Sequence, residues 1–119
     1  MHRVVVSGIG IISSIGKNLS ETYDSLVEKR CGISKIDILE TKHKDEFLAG
    51  EIKLTHEQLI ELAEVKPELA WTRTALLGII AAKQAVADAG VDPTECSLIS
   101  ASTVGGMDRS ELYYKDFLT

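Results

Sequence analysis

The sequence feature that most constrains the fold is a β-branched run at residues 3–7, which ends in a turn built on Gly8 and Gly10. A short, continuous apolar run of this kind is typical of a strand that is buried on both faces of its sheet. A second such run, at residues 98–101, leads into a glycine turn at residues 105–106. Because helical patterns separate the two runs, the sequence predicts an α/β fold in which helices cover a core sheet.

Capping signals predict the first helix. Asn18 and Glu21 have the capping-box spacing that satisfies free N–H groups at a helix start. The helix is expected to run to about Arg30, with Gly32 in the left-handed conformation that ends many helices. The weak pattern of residues 34–53 then predicts loops and one or two short strands.

Three further helices are predicted. Thr55 begins a second capping box, and the helix that follows should be short because Pro67 lies just beyond it. Residues 73–89 leave very little of the helix circumference polar and are followed by Gly90, which predicts a long, buried helix. Residues 107–118 are expected to form a last helix that begins on the glycine turn.

The composition argues against several classes of function. The net charge of −5 is spread without a basic block, which gives no electrostatic footprint for nucleic acid or anionic lipid. The longest apolar runs, residues 9–12 and 75–82, are far shorter than the roughly 20 residues that span a bilayer. The opening lacks the features of a secretory signal, so a cytoplasmic location is expected. Cys31 and Cys96 have no C-x-x-C spacing, which favours reduced thiols over a disulfide.

Two glycine motifs raise the question of a bound ligand. Gly8 and Gly10 follow the first run as in a dinucleotide-binding turn, but the third glycine position holds Ser13. No acidic residue ends a second strand about 20 residues later, so a structural turn is the favoured interpretation. Gly105 and Gly106 could let backbone approach a ligand or could simply permit a tight turn, and both interpretations stay open.

The reactive side chains form no evident catalytic or metal-binding constellation. His2, His43 and His56 lack metal-ligand spacing and are expected at the surface. Cys96 is expected to be a small buried hydrophobe. Several serines are interpreted as turn and strand-end residues because none stands in a G-x-S-x-G elbow: Ser7, Ser13, Ser14, Ser100 and Ser102. No metal and no cofactor are therefore predicted.

Five landmarks, in order, resemble those of the β-ketoacyl-[acyl carrier protein] synthases. The opening at residues 3–16 is similar to the V-V-[TS]-G-x-G start of that family, and the later landmarks match at residues 32–34, 49–50, 78–90 and 102–107. The resemblance covers essentially all 119 residues. It implies a thiolase-like fold of two similar α/β halves. Residues 1–119 would be the amino-terminal part of one half, with an incomplete sheet, covering helices and no second domain.

The resemblance also implies an activity and its partners. In that family an active-site cysteine accepts an acyl chain from acyl carrier protein, and two histidines assist decarboxylation of malonyl-carrier protein and carbon–carbon bond formation. Cys31 and Cys96 do not match that cysteine, which by resemblance lies beyond Thr119, as do the histidines. No catalytic residue is therefore expected in this chain, which alone is predicted to be inactive. The implied partners are acyl carrier protein and a second copy of the enzyme.

The same resemblance gives candidates for an acyl pocket. Val104, with Thr103 before it and Met107 after it, matches the stretch that lines the pocket in elongating members of the family. The branched side chain of Val104 is expected to limit chain length by filling space, since each excluded methylene is worth about 0.8 kcal/mol.

Departures from the family pattern keep several alternatives open. Thr72 and Thr74 stand where many members have Asp and Phe, and Thr103 stands where many have Gly. A fatty-acid synthase, a polyketide or polyene synthase and a chain-length partner subunit without the cysteine all fit. A stand-alone binding module is a further alternative, and it predicts a cooperatively folded monomer. The sequence stops inside an apolar segment without a helix cap, which we interpret as an interruption. A unit with two core strands has few ways to cover both faces of its sheet, so we expect exposed apolar surface unless something else completes it.

Overall fold

The computed structural model describes the backbone of residues 3–118 and their side chains except those of residues 115 and 116. In chain order, the elements are α1 (Leu19–Val27), β1 (Ser34–Lys35), β2 (Leu48–Ala49), α2 (His56–Ala63), α3 (Arg73–Ala89), a short 3-10 helix (Pro93–Glu95) and α4 (Met107–Phe117). The strands β1 and β2 pair antiparallel, with Ser34 opposite Ala49. The short strands predicted between residues 34 and 53 are thus confirmed.

Helix α1 begins as predicted and ends early. The side chain of Asn18 accepts a hydrogen bond from the backbone N–H of Glu21 at 2.9 Å. Lys29, at φ 56°, takes the left-handed backbone conformation that was predicted for Gly32. The N–H of Arg30 reaches back five residues to a carbonyl of the last helical turn, which closes the helix before Gly32 is reached. The predicted helix end and the Gly32 cap are therefore wrong.

Helices α2 and α3 hold the hydrophobic core. Thr55 and Gln58 form a capping box at the start of α2, and Gly90, at φ 63°, follows the end of α3 as predicted. The buried core cluster consists of Leu54, Leu59, Ala63, Leu76 and Ile80. The prediction that α3 is buried around most of its circumference is wrong, since among its described residues only Leu76 and Ile80 are buried.

Neither predicted core strand forms. Residues 3–7 and 98–101 pair with no other segment among residues 3–118. Val4 is 95% exposed and Ile99 is 96% exposed. A strand is stabilised by hydrogen bonds to a neighbouring strand, and the described chain supplies none to these two segments. The α/β prediction is met only in a coarser form, as a small mixed domain of helices with a two-stranded sheet.

The segment after the first predicted strand packs along α3 instead of entering a sheet. Its backbone N–H groups donate to two α3 side chains, from Ile9 to Asp88 Oδ2 at 2.9 Å and from Ile11 to Gln84 Oε1 at 3.0 Å. Gln84 Nε2 in turn donates to the carbonyl of Lys17 at 2.7 Å. For part of the segment, these bonds take the place of the backbone hydrogen bonds that a neighbouring strand would supply.

The chain exposes more surface than a compact protein of its size. Its accessible surface is 9622 Å², against about 6300 Å² expected for a compact monomer of 13.0 kDa. Its radius of gyration of 16.8 Å exceeds the value of about 13–14 Å expected for a closed domain of this length. Within residues 3–118, every helix is too short or too polar to cross a bilayer.

Candidate functional site

The first turns of α2, α3 and α4 line one open groove of about 770 Å³. The apolar part of its wall includes Ile36, Ile38, Leu39, Ile52, Leu77 and Leu112. The charged part includes Glu51, His56, Arg73, Asp108 and Arg109. This groove combines an apolar surface with a cluster of ionisable groups, and its geometry is set by the hydrogen bonds that those groups make.

Arg73, the first residue of α3, fastens the segment that leads into α2. Its Nη1 donates to the carbonyl of Leu54 at 2.8 Å, and its Nη2 donates to the carbonyl of Ile52 at 2.5 Å. Its backbone N–H donates to Asp108 Oδ2 at 2.8 Å, which gives the start of α3 an acceptor from α4. The side chain is half-buried. Its two carbonyl acceptors hold the guanidinium in place.

Arg109 links α4 to two other parts of the groove. Its Nε donates to the carbonyl of Trp71 at 2.8 Å, and its Nη2 lies 2.9 Å from His56 Nε2. A guanidinium has donors only, so the imidazole nitrogen of His56 is the acceptor. The three residues are partly buried. Arg109 therefore connects the first turn of α4 with that of α2.

Glu51 organises the loop on the opposite side of the groove. Its carboxylate accepts from the backbone N–H groups of Asp37, Ile38 and Leu39, at distances between 2.7 and 3.1 Å. Burial raises the pKa of Glu51, but these hydrogen bonds and the charge of Lys53 outweigh burial and lower the pKa below its usual value. Glu51 is thus held as a carboxylate that shapes the loop.

The two cysteines lie away from this groove and are both exposed. Cys31 lines a second, smaller depression of about 310 Å³ together with Ser13, Ser14 and Gly32. Cys96 donates to the carbonyl of Asp92 at 3.4 Å, so the prediction that it is a buried hydrophobe is wrong. In the part of the chain that the structure describes, no three His, Cys, Asp or Glu side chains could jointly hold a metal ion.

Comparison with known families decides the assignment of the chain. The model of the family described as "Beta-ketoacyl synthase, N-terminal domain" matches residues 1–116. The chain belongs to the β-ketoacyl synthases. The fragment resemblance seen in the sequence is therefore confirmed at the level of the family.

Individual β-ketoacyl synthases match over nearly the whole chain. The 3-oxoacyl-[acyl-carrier-protein] synthase 2 of Staphylococcus aureus (strain COL) is 32% identical over 122 residues, which cover 98% of this chain and 29% of that protein. The synthase 1 of Escherichia coli (strain K12) has the same identity and coverage. The chloroplastic synthase II of Arabidopsis thaliana is 32% identical over 116 residues, 89% of this chain and 21% of that protein. The chain thus spans less than a third of the length of these relatives. No solved structure is a significant match.

The three acyl-pocket candidates of this β-ketoacyl synthase chain lie together at the start of α4. Thr103 and Val104 form a bend, and Met107 is the first residue of the helix, after Gly106 at φ 81°. Val104 is 61% exposed and Met107 is 53% exposed. None of the three lines the groove, although Asp108 and Arg109, which do, follow Met107 directly. Their role as pocket residues stays a prediction.

The sequence interpretation missed the charged cluster of this family member. His56 was predicted to be a surface histidine, but it is partly buried and contacts Arg109. His43 contacts Glu46 at 2.6 Å, and His2 lies outside the described residues. One signal in the sequence could have revealed the cluster: basic side chains lie in the first turns of predicted helices, where the helix dipole disfavours a positive charge. Such side chains point to acceptors elsewhere in the chain.

Proposed function

We propose that this chain is the amino-terminal part of a 3-oxoacyl-[acyl-carrier-protein] synthase. Such an enzyme is an acyltransferase that elongates an acyl chain by decarboxylative condensation with malonyl-carrier protein. The proposal is supported by relatives with that name, which match 98% of this chain while the chain spans 29% of their length. Fatty-acid biosynthesis is the pathway that the names favour, and polyketide or polyene biosynthesis uses the same chemistry.

We base the proposal of a partial core on two segments of the chain whose apolar side chains are exposed. Val4, Val5 and Val6 are at least 78% exposed, and Leu98 and Ile99 are at least 81% exposed. Burying apolar surface is worth about 25 cal/mol per Å², so side chains of this type are rarely left in water without a partner. We propose that further polypeptide of the parent enzyme pairs with both segments and completes the sheet of a thiolase-like fold.

The proposal assigns this chain a supporting role in the chemistry. Neither exposed thiol shares the groove with His56, so no nucleophile and base are brought together there. The thiol that accepts the acyl group and the histidines that assist condensation are proposed to lie outside residues 1–119. This chain contributes Thr103, Val104 and Met107 to the wall of the acyl pocket, and the bend before α4 carries two of them.

The proposed partners follow from the same assignment. Acyl carrier protein would deliver both the acyl group and the malonyl group to the parent enzyme. A second copy of the enzyme would cover part of the apolar surface that the chain leaves exposed, as expected for a homodimer. A cytoplasmic location fits such an enzyme.

The transfer of a labelled acyl group tests this function. The longer protein that contains this chain should become radiolabelled when it is incubated with a radiolabelled acyl-carrier protein, whereas the 119-residue chain alone should not. Cys31→Ser and Cys96→Ser in the longer protein are matched controls and should leave the labelling unchanged. Labelling of the short chain would contradict its predicted inertness. An unlabelled longer protein that still alters the product length of a partner enzyme would instead identify a chain-length subunit.

A further inference from the structure

The contact between Arg109 and His56 joins the first turn of α4 to the first turn of α2. Arg109 Nη2 and His56 Nε2 are 2.9 Å apart, and both side chains are partly buried. Because arginine can only donate, the bond requires a free electron pair on His56 Nε2 and a proton on Nδ1. The contact therefore exists only while the imidazole of His56 is neutral.

The docking of α4 depends mainly on its first turn. Besides the bond to His56, Arg109 Nε donates to the carbonyl of Trp71, and Asp108 accepts from the backbone of Arg73, each at 2.8 Å. Further along the helix the large side chains are exposed, with Tyr113 at 61% and Phe117 at 87%. Among the described side chains, the bond that a proton can break is thus one of three hydrogen bonds that link the first turn of α4 to the rest of the chain.

We propose that His56 and Arg109 form a proton-sensitive contact that sets how firmly α4 is docked. Protonation turns His56 Nε2 into a donor and places a positive charge against the guanidinium, so an attractive hydrogen bond becomes a repulsive contact. Histidine is the side chain whose charge ordinarily changes between about pH 5 and pH 8. Helix α4 is therefore firmly docked while His56 is neutral and loosened once His56 is protonated.

The other charged groups around His56 act in both directions. Those that line the same groove are Glu40, Glu51, Glu57, Arg73, Asp108 and Arg109. The carboxylates attract a protonated imidazole, whereas the two guanidinium groups repel it. Glu51 and Asp108 already accept backbone N–H groups, so a new bond from a protonated His56 to either of them would share a carboxylate that is already engaged.

The consequence reaches the segment that precedes α4. Met107 adjoins Asp108 and Arg109, and Val104 lies in the bend just before it. When the first turn of α4 is loosened, the bend is no longer held in position at the end that joins the helix. The inference concerns the docking of α4, and it holds whether or not Val104 lines an acyl pocket.

Hydrogen exchange of the α4 amides, followed by mass spectrometry in the protein that carries this chain, tests the inference. After correction for intrinsic exchange rates, the protection of wild-type α4 should be about tenfold lower at about pH 5.5 than at about pH 8. His56→Gln supplies an acceptor that does not titrate, so its α4 should be equally protected at both pH values. His43→Gln is the matched control, because His43 bonds to Glu46 rather than to α4, and it should respond as the wild type does.

Two results would overturn the inference: equal protection of wild-type α4 at both pH values, or a full pH response in His56→Gln. If His56→Gln does not fold, Arg109→Gln decides the same question. Its amide can donate to a neutral imidazole or accept from a protonated one, so the pH response should disappear. An undiminished response in Arg109→Gln would also rule the contact out as the proton-sensitive element.

Discussion

Gly10 lies directly against the backbone of Ala81 on α3, so closely that a side chain at Gly10 would collide with the Ala81 carbonyl oxygen. Gly8 is packed in the same way against Ala85 and Ala89, one helical turn further along. The glycine motif at this position therefore brings backbone against a helix and does not cradle a nucleotide. The preference for a structural role over a dinucleotide site agrees with this packing.

Substitution of Gly10 by alanine should destabilise the protein. The added methyl group meets backbone atoms, which cannot move aside as a side chain could, so we expect a loss of about 2–3 kcal/mol or more in the free energy of unfolding. Urea denaturation of the parent protein measures this loss. Gly78→Ala is the matched control, because Gly78 is in α3 with open space around it and alanine should stabilise the helix by about 0.5–1 kcal/mol. Equal effects of the two substitutions would contradict the packing of Gly10.

The carboxylate of Glu51 should make the stability of the loop depend on pH. Burial raises the pKa of Glu51. The hydrogen bonds from Asp37, Ile38 and Leu39 and the charge of Lys53 together lower it by more than burial raises it, so the pKa lies below its usual value. The folded protein then holds the proton less tightly than the unfolded chain does. The resulting stabilisation is fully present above the unfolded pKa and is lost as the pH falls through the folded pKa.

Glu51→Gln measures this effect. At pH near 7 the variant should be less stable than the wild type by about 1 kcal/mol or more, because a charged acceptor of several backbone N–H groups is lost. The difference should shrink below about pH 4.5, where the carboxyl of the unfolded chain binds its proton. Glu68→Gln, at an exposed position, serves as the control and should change stability little at any pH. A constant difference between Glu51→Gln and the wild type would refute the role of the charge.

The acyl pocket is tested by Val104→Gly in the full-length enzyme. Removal of the branched side chain frees space in the pocket. Each methylene of the acyl chain that is buried in this space gains about 0.8 kcal/mol, so the variant should accept longer acyl chains. Competition between acyl-carrier proteins of different chain length measures the preference. Val104→Thr retains the branched shape and should keep the wild-type preference. If the preference of Val104→Gly is also unchanged, Val104 does not belong to the pocket.

Features that depend on neighbouring residues in the chain were predictable from the sequence. The caps at Asn18 and Thr55 and the helix end at Gly90 are local, and all three are present in the structure. The family was also recognisable, because its landmarks are spread along the chain in a fixed order.

Features that depend on distant residues were not predictable. Residues 3–7 and 98–101 have the composition of strands, but a strand also needs a partner, and the described chain provides none. The bond between His56 and Arg109 joins residues 53 positions apart, so a basic side chain in the first turn of α4 indicates the need for an acceptor but not which residue supplies it. Cys96 was expected in the core because cysteine is often buried, yet the run that follows it has no sheet to enter.

The central claim is that these residues form only part of a hydrophobic core, and urea unfolding of the isolated 119-residue chain tests it most directly. The fluorescence of Trp71, the one tryptophan in the sequence, and far-ultraviolet circular dichroism should each show a broad transition without a clear folded baseline. A single steep transition, coincident in both signals and typical of a closed two-state domain, would contradict the claim.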